Sequence, residues 1–171
     1  CGFNHNFGYK ASGNVDTLYE LSLELGFSLK VIDAFVINEQ VVSSTLIRNL
    51  IATGKVDECE TYMGRPYAIS GEVVVGNRLG RKLYVTFCVY NGKRYPSVTN
   101  VGVKPTIGNY GKNVETHIFD FDKILYGKGI TVEFLEMLRD EIKFDNVEEL
   151  SEQIISDCAT AKEFHKKNGF L

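Results

Sequence analysis

Residues Tyr84–Thr99 read YVTFCVYNGKRYPSVT and carry the strongest hairpin signal in this 171-residue chain. Two runs rich in β-branched and aromatic residues flank Asn91-Gly92, and these two residue types accept the positive φ angles of a two-residue turn. The stretch therefore predicts two antiparallel strands, Tyr84–Tyr90 and Lys93–Thr99, joined by a tight turn.

Strand patterns and one long amphipathic helix surround this hairpin. Strand character begins at Tyr67 and returns at Val114–Phe121 and Ile130–Leu138. Asn146 and Glu149 then form a capping box ahead of a helix. Its apolar residues repeat at helical spacing: Val147, Leu150, Ile154, Ile155, Cys158, Ala161 and Phe164. Short antiparallel strands closed by one helix predict an α+β fold, a small barrel with the helix packed on it.

The first 64 residues follow a helical pattern instead. Leucines at helical spacing between Asn14 and Gly26 predict one helix, which Asn14 caps and Gly26 ends. A second helix is predicted at Ser43–Ile51. Gly64-Arg65-Pro66 then marks a domain boundary, because Pro66 disfavours helix at the preceding residue and strand character follows. We expect domains at 1–64 and 65–171.

Composition excludes several classes of protein. A net charge of −3 argues against a general nucleic-acid binder, and we find neither a membrane-spanning apolar run nor a signal peptide. Three histidines and four scattered cysteines argue against a metal site or a disulfide framework and fit a reducing cytosol. We expect a cytoplasmic protein whose partners are small molecules, with no nucleic acid or membrane. Because it starts at Cys1, we interpret the chain as a fragment.

The segment Ser70–Lys82 is a candidate phosphate-binding element. A β-branched run leads into a loop with Gly76 and Gly80, and the cations Arg81 and Lys82 close it. Glycine lets backbone N–H groups approach an anion closely, and the cations supply charge. An ordinary loop with solvated charges explains the same residues, and the spacing is neither a P-loop nor a dinucleotide fingerprint.

Three further positions have both a functional and a structural interpretation. The hydroxyls at Ser43-Ser44-Thr45, with Arg48 nearby, are either an anion site at a helix N-terminus or a plain cap. Glu115 shares a strand face with His117, Phe119 and Phe121. Its carboxylate is therefore either held by a structural partner or poised as a base. Arg139 is most simply a salt-bridged group.

Seven motifs together resemble one family, and they occur in its order and approximate spacing. They are Gly2-Phe-Asn4-x-x-Phe7-Gly8, Val42-Ser43-Ser44-Thr45-x-x-Arg48, Gly71-x-Val-Val-x-Gly76-x-x-x-Gly80-Arg81, Asn100-Val-Gly102-x-x-Pro105-Thr106, Val114-Glu115-Thr-His117-Ile, Leu125-Tyr126-Gly127 and Leu138-Arg139-x-Glu141-x-x-Phe144. The chain resembles the C-terminal part of a bacterial bifunctional riboflavin kinase/FAD synthetase.

This resemblance implies a six-stranded antiparallel barrel with a C-terminal helix, preceded by the tail of an α/β nucleotidyltransferase domain. It implies ATP-dependent phosphorylation of riboflavin to FMN, with ATP, Mg²⁺ and riboflavin or FMN as ligands. The full-length protein is expected also to adenylylate FMN to FAD.

The resemblance also assigns roles to residues. Glu115 is the expected general base for the ribityl hydroxyl. ATP is expected to bind at Gly76, Gly80, Arg81, Lys82 and Tyr126. The flavin is expected at Arg139 and Phe144. Asn4, Ser44 and Arg48 match what remains of the adenylyltransferase site.

The chain departs from the family pattern in two places. The family's Pro-Thr-Ala-Asn segment, which holds Mg²⁺ and phosphate, is absent between Lys82 and Tyr84, so we expect no metal-binding residue in the chain as printed. The His-x-Gly-His half of the adenylyltransferase site is absent as well. Because both flanks of the first gap match as though joined, we favour omission of a segment. If the protein itself lacks this segment, the chain is instead a flavin-binding module without catalysis. A third interpretation is a barrel that binds single-stranded nucleic acid. Its aromatic residues favour this interpretation, and its net negative charge argues against it.

Overall fold

The computed structural model describes residues 1–75, 82–103 and 112–171, with the backbone alone at Val103 and Lys112. The described chain forms two compact units, Cys1–Ile47 and Arg48–Leu171.

The first unit contains helix α1 (Val15–Leu25) and a short hairpin of β1 (Val36–Ile37) and β2 (Gln40–Val41). Helix α1 begins as predicted, because the Asn14 side chain accepts a hydrogen bond from the backbone N–H of Thr17 at 3.0 Å. It ends at Gly26, whose φ of 73° is the left-handed conformation that favours glycine. Both local predictions for this helix are confirmed.

Two short helices precede the sheet. Helix α2 (Ser44–Ala52) begins after Ser43, whose hydroxyl accepts a hydrogen bond from the backbone N–H of Leu46 at 3.2 Å. Helix α3 (Cys59–Met63) ends at Gly64, and Val56 between the helices is buried against the sheet. Residues before Gly64 therefore contribute to the core of the second unit. The domain boundary at Gly64 stays a prediction.

The second unit is built on one antiparallel sheet. Its strands are β3 (Tyr67–Glu72), β4 (Lys82–Tyr90), β5 (Lys93–Val103), β6 (Lys112–Ile118) and β7 (Gly129–Arg139), in the order β3-β7-β4-β5-β6. The predicted hairpin is confirmed: Tyr90 pairs with Lys93, and the turn residues Asn91 and Gly92 have φ of 49° and 73°.

The long C-terminal helix α4 (Val147–Lys167) covers one face of this sheet. Leu83, Val85 and Val98 pack there against Phe119 and Ala161. Alternate residues point to the other face, where Tyr84, Val132 and Phe134 pack with Val56. At the start of α4, the backbone N–H of Glu149 donates to Asn146 Oδ1 at 2.8 Å, as the capping box predicts.

The sheet is curled. Strands β3 and β6, which form its two edges within the described residues, line the same open cleft of about 960 Å³. The antiparallel α+β class and the C-terminal helix are confirmed, and the described part of the barrel has five strands where six were expected.

Candidate active site

Glu115 lies on the edge strand β6 and lines the cleft. Its side chain is half-buried, and Asn113 Nδ2 donates to Glu115 Oε1 at 3.3 Å. The rings of His117 and Phe119 share its face of the strand, as predicted, with centroids 5.6 Å apart. The strand does not extend to Phe121, because β6 ends at Ile118 and the chain turns through Asp120 at a φ of 51°. Phe121 lines the same cleft as Glu115, and its ring packs against Tyr95 with centroids 5.0 Å apart.

The register of the sheet places Glu115 and Arg139 in one row. Glu115 pairs with Asn100, Asn100 pairs with Leu83, and Leu83 pairs with Arg139. Paired residues project to the same face, and three strand spacings give a separation of about 14 Å between the Cα atoms. Two residues that are 24 positions apart in the sequence thus lie on the same face of the sheet, the face that carries α4.

Arg139 binds α4 through its guanidinium. Its Nε donates to Asp157 Oδ1 and Oδ2 at 3.1 and 3.0 Å, and its Nη2 donates to Asp157 Oδ2 at 2.8 Å. Nη1 donates to the backbone carbonyl of Asp140 at 3.1 Å. Gln153 Nε2 also donates to Asp157 Oδ1 at 2.7 Å. Arg139 is therefore salt-bridged, and its partner is a helix residue distant in sequence.

The residues expected at the nucleotide are described in part. Gly76, Gly80 and Arg81 lie outside the described residues. Lys82 begins β4, and its Nζ lies 3.3 Å from Asp140 Oδ1. Tyr126 lines the same cleft as Glu115 and is 61% exposed.

The remaining predicted residues lie elsewhere. Phe144 lines a separate, smaller cavity of about 420 Å³ beside the first turns of α4. Asn4 lies in the first unit, where its carbonyl accepts a hydrogen bond from Asn6 Nδ2 at 3.1 Å. Ser44 and Arg48 are exposed on α2.

Several buried polar groups were not predicted. Asp157 lies within the apolar stripe of α4, and an acid at such a position signals a buried partner. Thr86, Ser97 and Thr99 are fully buried hydroxyl residues on neighbouring strands. Ser97 and Thr99 stand two residues apart on one strand, so their side chains project to the same face of the sheet. This spacing was the signal in the sequence that could have identified them.

The cysteines form no disulfide, and the described residues hold no metal-binding cluster. All four cysteines are free. Burial raises the pKa of the Cys88 thiol to about 11, which keeps it neutral and a poor nucleophile. Among residues 1–75, 82–103 and 112–171, no cluster of His, Cys, Asp and Glu is suited to hold a metal ion. The helices of the described chain are too short or too polar to cross a membrane.

A model of the riboflavin kinase family matches residues 63–165, the part of the chain that holds the sheet, Glu115 and α4. This chain belongs to the riboflavin kinase family. A model of FAD synthetase matches residues 1–46, and the two matches follow the order that the sequence motifs predicted.

Known relatives agree with this assignment. The bifunctional riboflavin kinase/FMN adenylyltransferase of Haemophilus influenzae is 33% identical over 183 residues, and that of Escherichia coli K12 is 30% identical. Each comparison covers 95% of this chain and 59% or 58% of the relative, so the chain spans less than two thirds of their length. A solved structure described as a macrolide-efflux protein from Streptococcus pneumoniae has a TM-score of 0.74 and 25% identity. It covers 94% of this chain and 58% of the other.

Proposed function

We propose that this chain is the kinase part of a bifunctional flavin enzyme. It transfers the γ-phosphoryl group of ATP to the 5′-hydroxyl of riboflavin, and the longer protein also adenylylates the FMN product. Family membership and the names of the curated relatives support this proposal. The structural observation that carries it is the cleft of about 960 Å³, which both Glu115 and Tyr126 line.

The proposed flavin contacts suit a ligand with a planar ring and a hydroxylated tail. The ring lies toward Arg139, and the plane of a guanidinium is a good surface for an aromatic system. The tail runs toward Glu115, and Phe144 is the second proposed flavin contact. Arg139 would use its plane, because its N–H groups already bind Asp157 and the carbonyl of Asp140.

Glu115 acts as the general base. The riboflavin 5′-oxygen attacks the γ-phosphorus while its proton passes to the Glu115 carboxylate, and the bond from phosphorus to the departing ADP oxygen breaks. Tyr126 and Lys82, with Gly76, Gly80 and Arg81, are the proposed ATP contacts. No described cluster of residues is suited to hold Mg²⁺, so the cation is proposed to enter with ATP, and no step is assigned to it.

A second candidate, a flavin-binding module without catalysis, depends on the connection between β3 and β4. These strands run parallel on either side of β7, with Glu72 paired to Gly129 at its start and Leu83 paired to Arg139 at its end. Glu72 and Leu83 therefore lie at opposite ends of β7, about 33 Å apart at about 3.3 Å per residue. Nine residues, 73–81, separate the strands, whereas parallel crossovers usually need about a dozen or more.

The alignments with the relatives contain gaps in this chain. They extend over 183 positions, more than the 171 residues of the whole chain, so positions of the relatives have no counterpart here. Both observations support omission of a segment ahead of Tyr84, where the family's Pro-Thr-Ala-Asn segment is expected. Sequencing the gene across this junction separates the candidates, since a gene that joins these codons directly favours the binding module.

Substitution of Glu115 tests the kinase proposal in protein made from the complete gene. Glu115→Gln keeps the shape of the side chain and removes the base, so we expect riboflavin phosphorylation to fall about 10²–10⁴-fold. Flavin binding, measured by fluorescence quenching, should be unchanged. Glu136→Gln, at an exposed position of β7, is the matched control and should retain activity. Near-normal turnover by Glu115→Gln would refute the assignment of the base.

A further inference from the structure

Four hydroxyl side chains form one hydrogen-bonded chain across the face of the sheet opposite α4. Thr86 Oγ1 lies 2.8 Å from Ser97 Oγ and 2.7 Å from Thr99 Oγ1, and Thr99 Oγ1 lies 2.9 Å from Thr116 Oγ1. The first three residues are fully buried, whereas Thr116 is partly exposed and lines the cleft. The chain thus leads from the interior of the sheet to the cleft.

The direction of this chain follows from its buried end. The Ser97 hydroxyl donates to the backbone carbonyl of Thr86 at 3.0 Å. A hydroxyl has one proton to donate, so the contact between Ser97 and Thr86 side chains requires Thr86 to donate to Ser97. By the same count, Thr99 donates to Thr86, and Thr116 donates to Thr99. Every proton in the chain therefore points inward.

This direction determines what Thr116 presents to the cleft. Its only proton is held by Thr99 Oγ1, so its oxygen can accept a hydrogen bond from a ligand and cannot donate one. Turning the chain around would break the Ser97 bond to the Thr86 carbonyl, because the Ser97 proton would then pass to Thr86 Oγ1. The fully buried links therefore make Thr116 a selective acceptor.

An oxygen that can only accept favours a hydroxyl group as its donor. Glu72 and Glu115 line the same cleft and also accept hydrogen bonds, and the cleft holds the cation Lys123 as well. Thr116 follows Glu115 on β6 and projects to the opposite face of the strand, and both residues line the cleft at this edge of the sheet. An uncharged ligand segment rich in hydroxyl groups supplies the donor that Thr116 requires.

We propose that Thr116 Oγ1 is a specificity-determining acceptor for a sugar-like hydroxyl group of the substrate, either the flavin ribityl chain or the ATP ribose. This inference rests on the proposed kinase function. The buried residues Thr86, Ser97 and Thr99 are positioning residues, because they act by holding the Thr116 proton inward.

Thr116→Val tests the proposal, since valine has the shape of threonine and lacks the oxygen. We expect KM for one substrate to rise about fivefold to tenfold, as for loss of one hydrogen bond, with kcat nearly unchanged. A rise for riboflavin identifies the ribityl chain, and a rise for ATP identifies the ribose. Thr116→Ser keeps the oxygen and should restore KM.

Substrate analogues provide the second measurement. An analogue that lacks the recognised hydroxyl, such as 2′-deoxy-ATP or 3′-deoxy-ATP for the ribose or a deoxyribityl flavin, should bind wild type and Thr116→Val equally well. Unchanged KM for both substrates in folded Thr116→Val, or equal losses by Thr116→Ser, would overturn the proposal. If wild-type protein from the complete gene lacks kinase activity, the proposed function fails. The same comparison made by equilibrium binding of riboflavin and ATP then decides the role of Thr116.

Discussion

Replacing Asp157 by Asn removes the charge that holds the Arg139 guanidinium on α4. The pair makes its shortest contact at 2.8 Å, and the Arg139 and Asp157 side chains are 21% and 10% exposed. Because this pair connects the end of β7 to the middle of α4, its loss weakens the attachment of the helix to the sheet.

The exposure of the pair sets the size of the effect. Exposed ion pairs contribute about 0.2–1 kcal/mol, whereas removing one partner of a buried pair costs about 3–5 kcal/mol. Asp157 and Arg139 are close to the buried limit, and the Asn oxygen still accepts one hydrogen bond. We therefore expect Asp157→Asn to lower the free energy of unfolding by about 2–3 kcal/mol, and Tm by about 5–10 °C.

Thermal and urea unfolding of purified protein measure this loss. Glu163→Gln is the matched control on the same helix, because Glu163 and Lys167 form a pair at 2.9 Å whose side chains are 65% and 73% exposed. The control should leave the free energy of unfolding nearly unchanged, because solvent screens an exposed pair. The double variant Asp157→Asn/Arg139→Met should lose less than the sum of its single variants, since no unpaired charge remains. Equal losses for Asp157→Asn and the control would refute a stabilising role for this pair.

Two further predictions concern buried positions. Burial lowers the pKa of the His165 imidazole, whose Nε2 lies 3.3 Å from the Ser97 carbonyl. The unfolded chain therefore binds this proton more tightly than the folded chain does. The stabilising contribution of neutral His165 should be complete above about pH 6.5 and should be lost as the pH falls toward the lower pKa of the folded state. Urea unfolding of His165→Gln at several pH values should lack this pH-dependent contribution. Gly54→Ala should cost about 1–3 kcal/mol, because Gly54 has a φ of 82° and an added Cβ overlaps with Met137 Sδ. Gly129→Ala meets open space and should stay within about 0.5 kcal/mol in the same assay, so equal effects would contradict the reasoning.

The sequence predicts local structure well wherever neighbouring residues determine it. Asn91-Gly92 specifies the hairpin because both residues adopt positive φ, and Asn146 with Glu149 specifies the start of α4 through side-chain hydrogen bonds three residues apart. The prediction is wrong at Phe121, where the alternation of residue types continues but the strand ends at Ile118. The alternation of residue types shows which side chains are apolar. It does not show where the backbone stops pairing with the neighbouring strand, which is what ends β6.

The candidate site likewise combines chemical groups that the sequence predicts with contacts that only the fold creates. The motifs around Glu115 and Arg139 indicate the family and the chemistry by themselves. The strand order β3-β7-β4-β5-β6 places the two residues in one row, and the packing of α4 brings Asp157 to Arg139. The direction of the Ser97–Thr116 hydroxyl chain likewise depends on a backbone carbonyl of a neighbouring strand. The sequence by itself determined the strands, the helices and the chemical groups, because these depend on residues a few positions apart. The tertiary structure alone decided which groups meet, because pairing between distant strands sets those distances.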